Sequence, residues 1–409
     1  MERKANPTNH FVLGNDAGDA DSIISAITLA YIESKYNNRE DTTPVVSISK
    51  EAFTRERPEV NLLFHLAGIQ DPSDKLLFIN DLKVILEDGL DSKEGLPRLS
   101  LVDHNTLNKS LRHVRDRLTV VEIVDHHMDE EQYEKTCNGK NRNIAFSEGQ
   151  ALVASTTTLV AERLRGYHAL PYPSSIGILL LGTILLDSVN LDESVGKVTE
   201  RDSNAVHDLI SHTDWGTATP SSYINRANGT ISIDTNDLFN QLQLEKYNPS
   251  FWDEFTVDRA LRYDFKYFEY NKKQGGKTKF GISSILMPGL DFMNKESFLN
   301  STLSFMKAKK ISFLGIMFAF YDDEHEFHRQ LAFISMINRD QVVAQHDLVE
   351  KLLGSTAYKS ADLQLEEVYI PTELNQSAGL EVSLFDQNNL TPSRKQIGPM
   401  LEEYFIEIN

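Results

Sequence analysis

Short apolar runs recur through the first 130 or so residues, and each gives way to a polar cluster. Phe11-Val12-Leu13 leads into Gly14-Asn15-Asp16-Ala17-Gly18-Asp19-Ala20-Asp21-Ser22, and Pro44 to Ile48 is a second run. Leu76-Leu77-Phe78-Ile79 ends at Asn80-Asp81, Leu99 to Val102 at Asp103-His104-Asn105, and Val120 to Val124 at Asp125-His126-His127. Between them, Ile23 to Tyr36 and Pro58 to Ala67 carry helical periodicity. Apolar runs of strand length alternating with helices predict a parallel sheet covered by helices, its strands buried on both faces.

Helices are then expected at Gln150 to Arg165, with Ser155-Thr156-Thr157-Thr158 inside, at Pro173 to Asp187, and at Thr199 to Ser211. Residues Thr213 to Asp234 are rich in Gly, Ser, Thr, Asn and Pro and read as a connection. Beyond it the pattern predicts a helix at Leu238 to Leu244, strands at Lys279 to Ile285, Ile311 to Tyr321 and Arg329 to Met336, and helices at Lys295 to Met306, Gln341 to Leu353 and Ser393 to Ile408. The expected organisation is therefore α/β throughout. A first domain spans 1–212, a linker 213–235 and a smaller α/β domain 236–409.

At 409 residues the chain suits two domains. A single cysteine, Cys137, rules out an internal disulfide and fits a reducing compartment, so a cytoplasmic location is expected. The polar N-terminus lacks a signal-peptide core, and the longest apolar run, Ile176 to Leu186, falls short of the roughly 20 residues a membrane span needs. A net charge of −19 argues against general nucleic-acid binding. It does not exclude an anionic substrate, because carboxylates that hold cations form a positive site once loaded.

Candidate chemistry gathers at the strand ends: Asn15, Asp19 and Asp21 after the first, Asp103 after another, and Asp125, His126 and His127 after a third. Asp187, at the end of the most apolar helix, is a lone carboxylate that is costly to bury unless paired or bound to metal. Helix capping by Asp19 or Ser22 and an Asp–His hydrogen bond are the structural alternatives. Oxygen donors with one or two imidazoles and no thiolate favour Mg or Mn over structural zinc. So many carboxylates suit two divalent ions about 3.5–4 Å apart, an arrangement that activates water and clamps phosphoryl oxygens. Hydrolysis of a phosphoester or phosphoanhydride is the reaction class that follows.

Asp125-His126-His127 resembles the signature of the DHH phosphoesterase superfamily. Asn15-x-x-x-Asp19-x-Asp21, Val102-Asp103-His104-Asn105 and Leu186-Asp187 resemble its other metal motifs, in order, and the C-terminal half resembles a DHHA2 domain. The resemblance implies that Asn15, Asp19, Asp103 and Asp187 surround one metal. Asp21, Asp103, His126 and Asp187 would surround the other. It makes His127, beside Asp125, the general acid that protonates the leaving phosphate oxygen. It also implies that Lys266, Arg394 and Lys395 grip phosphate, with Arg329 a further basic element and a charged strand edge its alternative reading. The site would lie in the cleft between the domains.

Asn15 stands where pyrophosphatases of this group have His, which is similar to the yeast-type exopolyphosphatase and prune-like branches. The harder amide oxygen tilts preference towards Mg. The implied activity is release of orthophosphate from the ends of inorganic polyphosphate. A short-chain pyrophosphatase, a phosphodiesterase and a prune-like interaction protein stay open. Lys272, Lys273, Lys277 and Lys279, or Lys307, Lys309 and Lys310, offer a basic track for a chain substrate, or else an ordinary solvated surface. No membrane partner is expected, and a monomer is favoured.

Overall fold

The computed structural model describes residues 9–408 other than 38, 40–41, 89–94, 168–169, 272–276, 323, 325, 337–345 and 378. The chain forms two compact units, Met1–Lys246 and Tyr247–Asn409.

In the first unit the strands are β1 (His10–Leu13), β2 (Thr42–Val46), β3 (Leu77–Phe78), β4 (Arg98–Val102), β5 (Thr119–Asp125) and β6 (Arg142–Ile144). They form one sheet in the order β3-β2-β1-β4-β5-β6, with every pairing parallel. The helices are α1 (Ala20–Tyr36), α2 (Lys50–Glu56), α3 (Pro58–Leu66), α4 (Ile79–Asp88), α5 (Thr156–Gly166), α6 (Ser174–Asp187), α7 (Glu200–His212) and α8 (Thr235–Lys246). Successive side chains of a strand point to opposite faces. Accordingly Val12, Val102 and Val124 join the core under α1, α5 and α6, while Phe11, Leu13, Leu99 and Leu101 join a second core with Leu82 and Leu86 of α4. Burial on both faces is what the unbroken apolar runs predicted.

Beneath the site a buried ion network fastens helices to strands. Arg163 of α5 bridges Glu33 of α1 and Glu122 of β5. Ser100 of β4 donates to Glu122 at 3.0 Å and lies 2.8 Å from the His10 imidazole of β1. Charges buried in this way are tolerated only when each is bonded, and the bonds fix the register of the elements that carry them.

Three expectations are corrected. Strand β3 has only two residues, and Ile79 already opens α4. Gln150-Ala151 is a short strand paired with Phe146-Ser147, so the following helix begins at Thr156 and Ser155 is its N-cap. The segment 213–235 is no free linker. Trp215, Tyr223 and Ile224 are buried in the first unit's core with Leu238 and Leu242 of α8, so the division falls after Lys246. Its polar composition reflects a hairpin, Ile224–Ala227 with Thr230–Ile233, pinned by those few large apolar side chains.

The second unit is built on a seven-stranded mixed sheet. Lys277–Ile285 and Phe313–Tyr321 run parallel, and the flanking pairs Phe265–Asn271 with Lys277–Ile285, and Phe313–Tyr321 with Phe327–Met336, are antiparallel. The helix expected from Gln341 is described as His346–Gly354, its start lying outside the described residues. The final helix, Arg394–Ile408, packs Ile397, Leu401 and Tyr404 into the core on one face of this sheet.

Candidate active site

The strand order of the first sheet reverses between β1 and β4. In open parallel sheets the crevice at such a point, beyond the C-terminal strand ends, is where ligands bind. Asp103, directly after β4, adopts a left-handed backbone (φ 62°), which Asp and Asn tolerate better than most residues. Its carboxylate is the hub. Oδ2 accepts from Asn15 Nδ2 at 2.6 Å and from Ser22 Oγ at 2.7 Å. Oδ1 lies 3.4 Å from Thr156 Oγ1, 3.5 Å from His126 Nε2 and 3.6 Å from His127 Nδ1. Ser22 approaches only because residue 14 is glycine, where a Cβ would stand 2.7 Å from the Ser22 Cβ.

Asn15 is fixed by hydrogen bonds on both sides of its amide. Its side-chain oxygen accepts from the N–H groups of Ala17 and Gly18, at 2.8 and 3.3 Å, and its NH2 is given to Asp103. In this arrangement Asn15 holds Asp103 and closes its own turn rather than aiming an oxygen at a cation. Asp19 is exposed and caps α1, with Oδ1 accepting from Ser22 N–H at 3.0 Å.

Asp21 faces the start of α5. Its carboxylate accepts from the N–H groups of Thr156 (2.7 Å) and Thr157 (2.8 Å) and from the hydroxyls of Ser155 and Thr157, both at 2.7 Å. The unsatisfied N–H groups and dipole of a helix N-terminus favour an anion there. Thr156 and Thr157 lie inside the helix as expected, in its first turn, and only Ser155 is the N-cap; a Ser ahead of an apolar run was the legible signal for it.

His126 lies with Nδ1 3.1 Å from the Val153 carbonyl, which leaves Nε2 turned to Asp103 and, at 3.9 Å, to Asp21. Such a bond fixes ring orientation and tautomer, as metal-ligating histidines require. His127 Nδ1 donates to Asp125 Oδ1 at 2.8 Å. Asp125, wholly buried, also accepts from the N–H of His126 (2.8 Å) and from Asn105 Nδ2 (2.6 Å). Asp125 is thus an orienting group with its oxygens engaged, and Asn105, absent from the sequence-based set, holds it. Burial raises the Asp125 carboxyl, but the bond and charge of His127, with His126 and Asn105, pull it well below the usual range. Replacing Asp125 with Asn should lower kcat roughly 10- to 100-fold while cation affinity, read by calorimetry, changes by only a few-fold.

Asp187 ends α6 half-buried, and its Oδ2 has no hydrogen-bond partner. Burial, and then the charge of Asp21, push its carboxyl up to about 8, with Lys246 and Ser155 pulling the other way. Asp103 is likewise driven well above the ordinary carboxylate range by burial and by Asp21, Asp19 and Asp125. Carboxylates that cannot all ionise together, one with an orphaned oxygen, fit a site completed by divalent cations. One donor atom each from Asp103, His126 and His127 lie within 4.8 Å of one another.

In the second unit Arg394 Nη1 lies 2.9 Å from Asp264 Oδ1 and donates to the Asp264 carbonyl at 3.0 Å, bringing it beside half-buried Lys266. Lys395 is exposed on the same first turn. Arg329 is not part of this group. It lies three strands away in the sheet, its guanidinium over the Phe327 ring at 5.5 Å, with Nε buried and unpartnered. Of the basic-track candidates, Lys272 and Lys273 lie outside the described residues. Lys279 pairs with Glu269 at 2.7 Å, and Lys309 stacks over Phe265 at 4.8 Å.

Residues 9–183 match the DHH family N-terminal domain, and residues 249–404 match the DHHA2 domain. The chain thus carries a match to a DHH N-terminal domain followed by a match to a DHHA2 domain. Among relatives, it is 28% identical over 395 residues to mouse (Mus musculus) "Exopolyphosphatase PRUNE1", covering 96% of this chain and 75% of that protein. It is 27% identical over 413 residues to a Schizosaccharomyces pombe protein named "Putative exopolyphosphatase", covering 97% and 90%. The fold matches the crystal structure of a Methanococcus jannaschii "putative family II inorganic pyrophosphatase", with a TM-score of 0.56 at 19% identity, over 97% of this chain and 99% of that one. Among the described residues no helix is long and apolar enough to cross a membrane.

Proposed function

We propose that this protein is a divalent-cation-dependent exopolyphosphatase that removes orthophosphate from the ends of inorganic polyphosphate. The observation that carries the reading is the convergence of Asp21, Asp103, His126 and His127 from the segments that follow β1, β4 and β5, with Asp187 and Asp19 within charge reach. Asp19, Asp21, Asp103, His126 and Asp187 would hold two Mg or Mn ions, with Asn15 holding Asp103 in place. Bound there, the ions would supply an activated water and neutralise phosphoryl charge. His127, its Nδ1 held by Asp125, is proposed to give the proton to the leaving phosphate oxygen. Lys266, Arg394 and Lys395 are proposed to bind substrate phosphates, the planar guanidinium suiting a bidentate grip. Exopolyphosphatase names among the relatives support the polyphosphate reading, and the resemblance of the fold to a pyrophosphatase keeps pyrophosphate as the second candidate.

Phosphate release should be measured with pyrophosphate, tripolyphosphate, long polyphosphate and a cyclic nucleotide, each with Mg and with Mn. Release from tri- and polyphosphate, abolished by EDTA and restored by either ion, is expected. Release from pyrophosphate alone would replace the proposal with a pyrophosphatase. No turnover of any substrate would favour an interaction protein.

A further inference from the structure

Arg57 sits between α2 and α3, immediately before Pro58, and is 2% exposed. Its guanidinium is directed at backbone carbonyls. Nε donates to Gly18 O at 2.6 Å, Nη2 to Ala17 O at 2.5 Å and Nη1 to Glu56 O at 2.7 Å. Ala17 and Gly18 form the turn between Asn15 and Asp19. The N–H groups of those same two residues are held by the Asn15 side-chain oxygen. Gly18 has φ 57°, and a Cβ there would meet Ile48 Cγ2 at 2.6 Å, which leaves the turn little room to take another shape.

Adjacent peptide groups are therefore fastened on both sides, by Asn15 through their N–H groups and by Arg57 through their carbonyls. Were the turn to rotate, Asn15 would leave Asp103 and Asp19 would leave the α1 cap. It would also strip a buried cation of charge-assisted hydrogen bonds, which are among the stronger ones and costly to leave unmade. Nothing in the motif sequence indicates this clamp, because Arg57 is 38 residues downstream of Asp19 on a different element.

We infer that Arg57 is a positioning residue for the cation site. It presets the Asn15–Asp19 turn, and thereby the affinity of the ion next to Asp19, and affects the ion next to Asp21 and His126 less, because Asp103 keeps its bond from Ser22 when Asn15 moves. The inference rests on the two-cation reading. Its asymmetry follows from the anchoring: Asp21 is held by α5 and His126 by Val153, whereas the Asn15–Asp19 turn is the part that Arg57 grips.

The test is a Mn titration of the metal-stripped full chain by calorimetry, for wild type, Arg57→Lys and Arg57→Gln, with metal-free melting curves alongside. Lysine keeps the charge but loses the fork that spans two carbonyls. The expected result is two binding steps in wild type. In both variants one step should weaken by roughly 10- to 100-fold, the usual scale for an outer-shell change, while the other stays within about threefold. At saturating Mn, kcat should stay within a few-fold of wild type. Equal weakening of both steps, unchanged affinity, or failure of both variants to fold would overturn the inference and leave Arg57 as a packing residue. Absence of Mn binding by wild type itself would overturn the two-cation reading, and this inference with it.

Discussion

Asp103→Asn should abolish turnover and, in the same molecule, raise the melting temperature of the metal-free protein. Asp103 is 2% exposed and is reached by Asn15, Ser22 and Thr156 and by both histidines of the Asp125-His126-His127 motif. On the proposed two-cation reading, losing a charge shared by both ions would remove several kcal/mol of transition-state stabilisation, or roughly a thousandfold or more in kcat/KM. Without cations the same carboxylate is a liability, desolvated and facing Asp21. Asparagine keeps the shape, accepts from Asn15 and Ser22, and tolerates the left-handed backbone at this position. A gain of about 1–3 kcal/mol is expected, a melting-temperature rise of a few degrees.

The pH dependence gives an independent reading. Asp103 and Asp187 both titrate above their ordinary 3.8, Asp187 at about 8. Between about 4 and 8 the folded metal-free protein therefore binds more protons than the unfolded chain, and its stability declines as pH rises across that window. Asp103→Asn should flatten part of this slope. A melting temperature that falls in the variant, with the slope unchanged, would mean that Asp103 is a satisfied structural group and would remove the reason for placing cations here.

The second large effect is expected at His127. Replacing it with Gln should lower kcat by roughly 10²–10⁴, the usual contribution of a positioned acid, with KM and cation affinity changed by only a few-fold. Its Nδ1 is committed to Asp125, and its side chain is 28% exposed, whereas that of His126 is 6% exposed and turned to two carboxylates. The neighbouring imidazoles differ in what binds their Nδ1 atoms, which is the ground for proposing different roles for them. His126→Gln should do the opposite and weaken cation binding first. Calorimetry and initial rates on both variants check the assignment, and a parallel loss of cation affinity in His127→Gln would show that both rings hold metal.

Much of the site was legible because its chemistry sits in short contiguous motifs at strand ends. Apolar runs buried on both faces announce a parallel sheet, and a sheet of that kind gathers the residues after its strands. Roles were less legible than positions. Asp125 could be read as a reacting group, but a side chain whose oxygens are taken by His126, His127 and Asn105 orients rather than reacts. Arg329 was read as a further basic element or a charged strand edge, and the strand order places it three strands from Lys266. The 213–235 stretch has the composition of a linker, and only the packing of Trp215 and Tyr223 shows that it belongs to the first unit.

The sequence by itself determined the alternating strands and helices, the placing of Asp and His at strand ends, and the surplus of carboxylates that calls for cations. These are properties of neighbours along the chain, which local sterics and burial translate directly into structure. The tertiary structure decided that the side-chain oxygens of Asn15 and Asp125 are already engaged, that the start of α5 receives Asp21, and that Arg57 reaches back to the first loop. Those are contacts between groups far apart in sequence, fixed by hydrogen-bond geometry across elements, and no one-dimensional pattern encodes them.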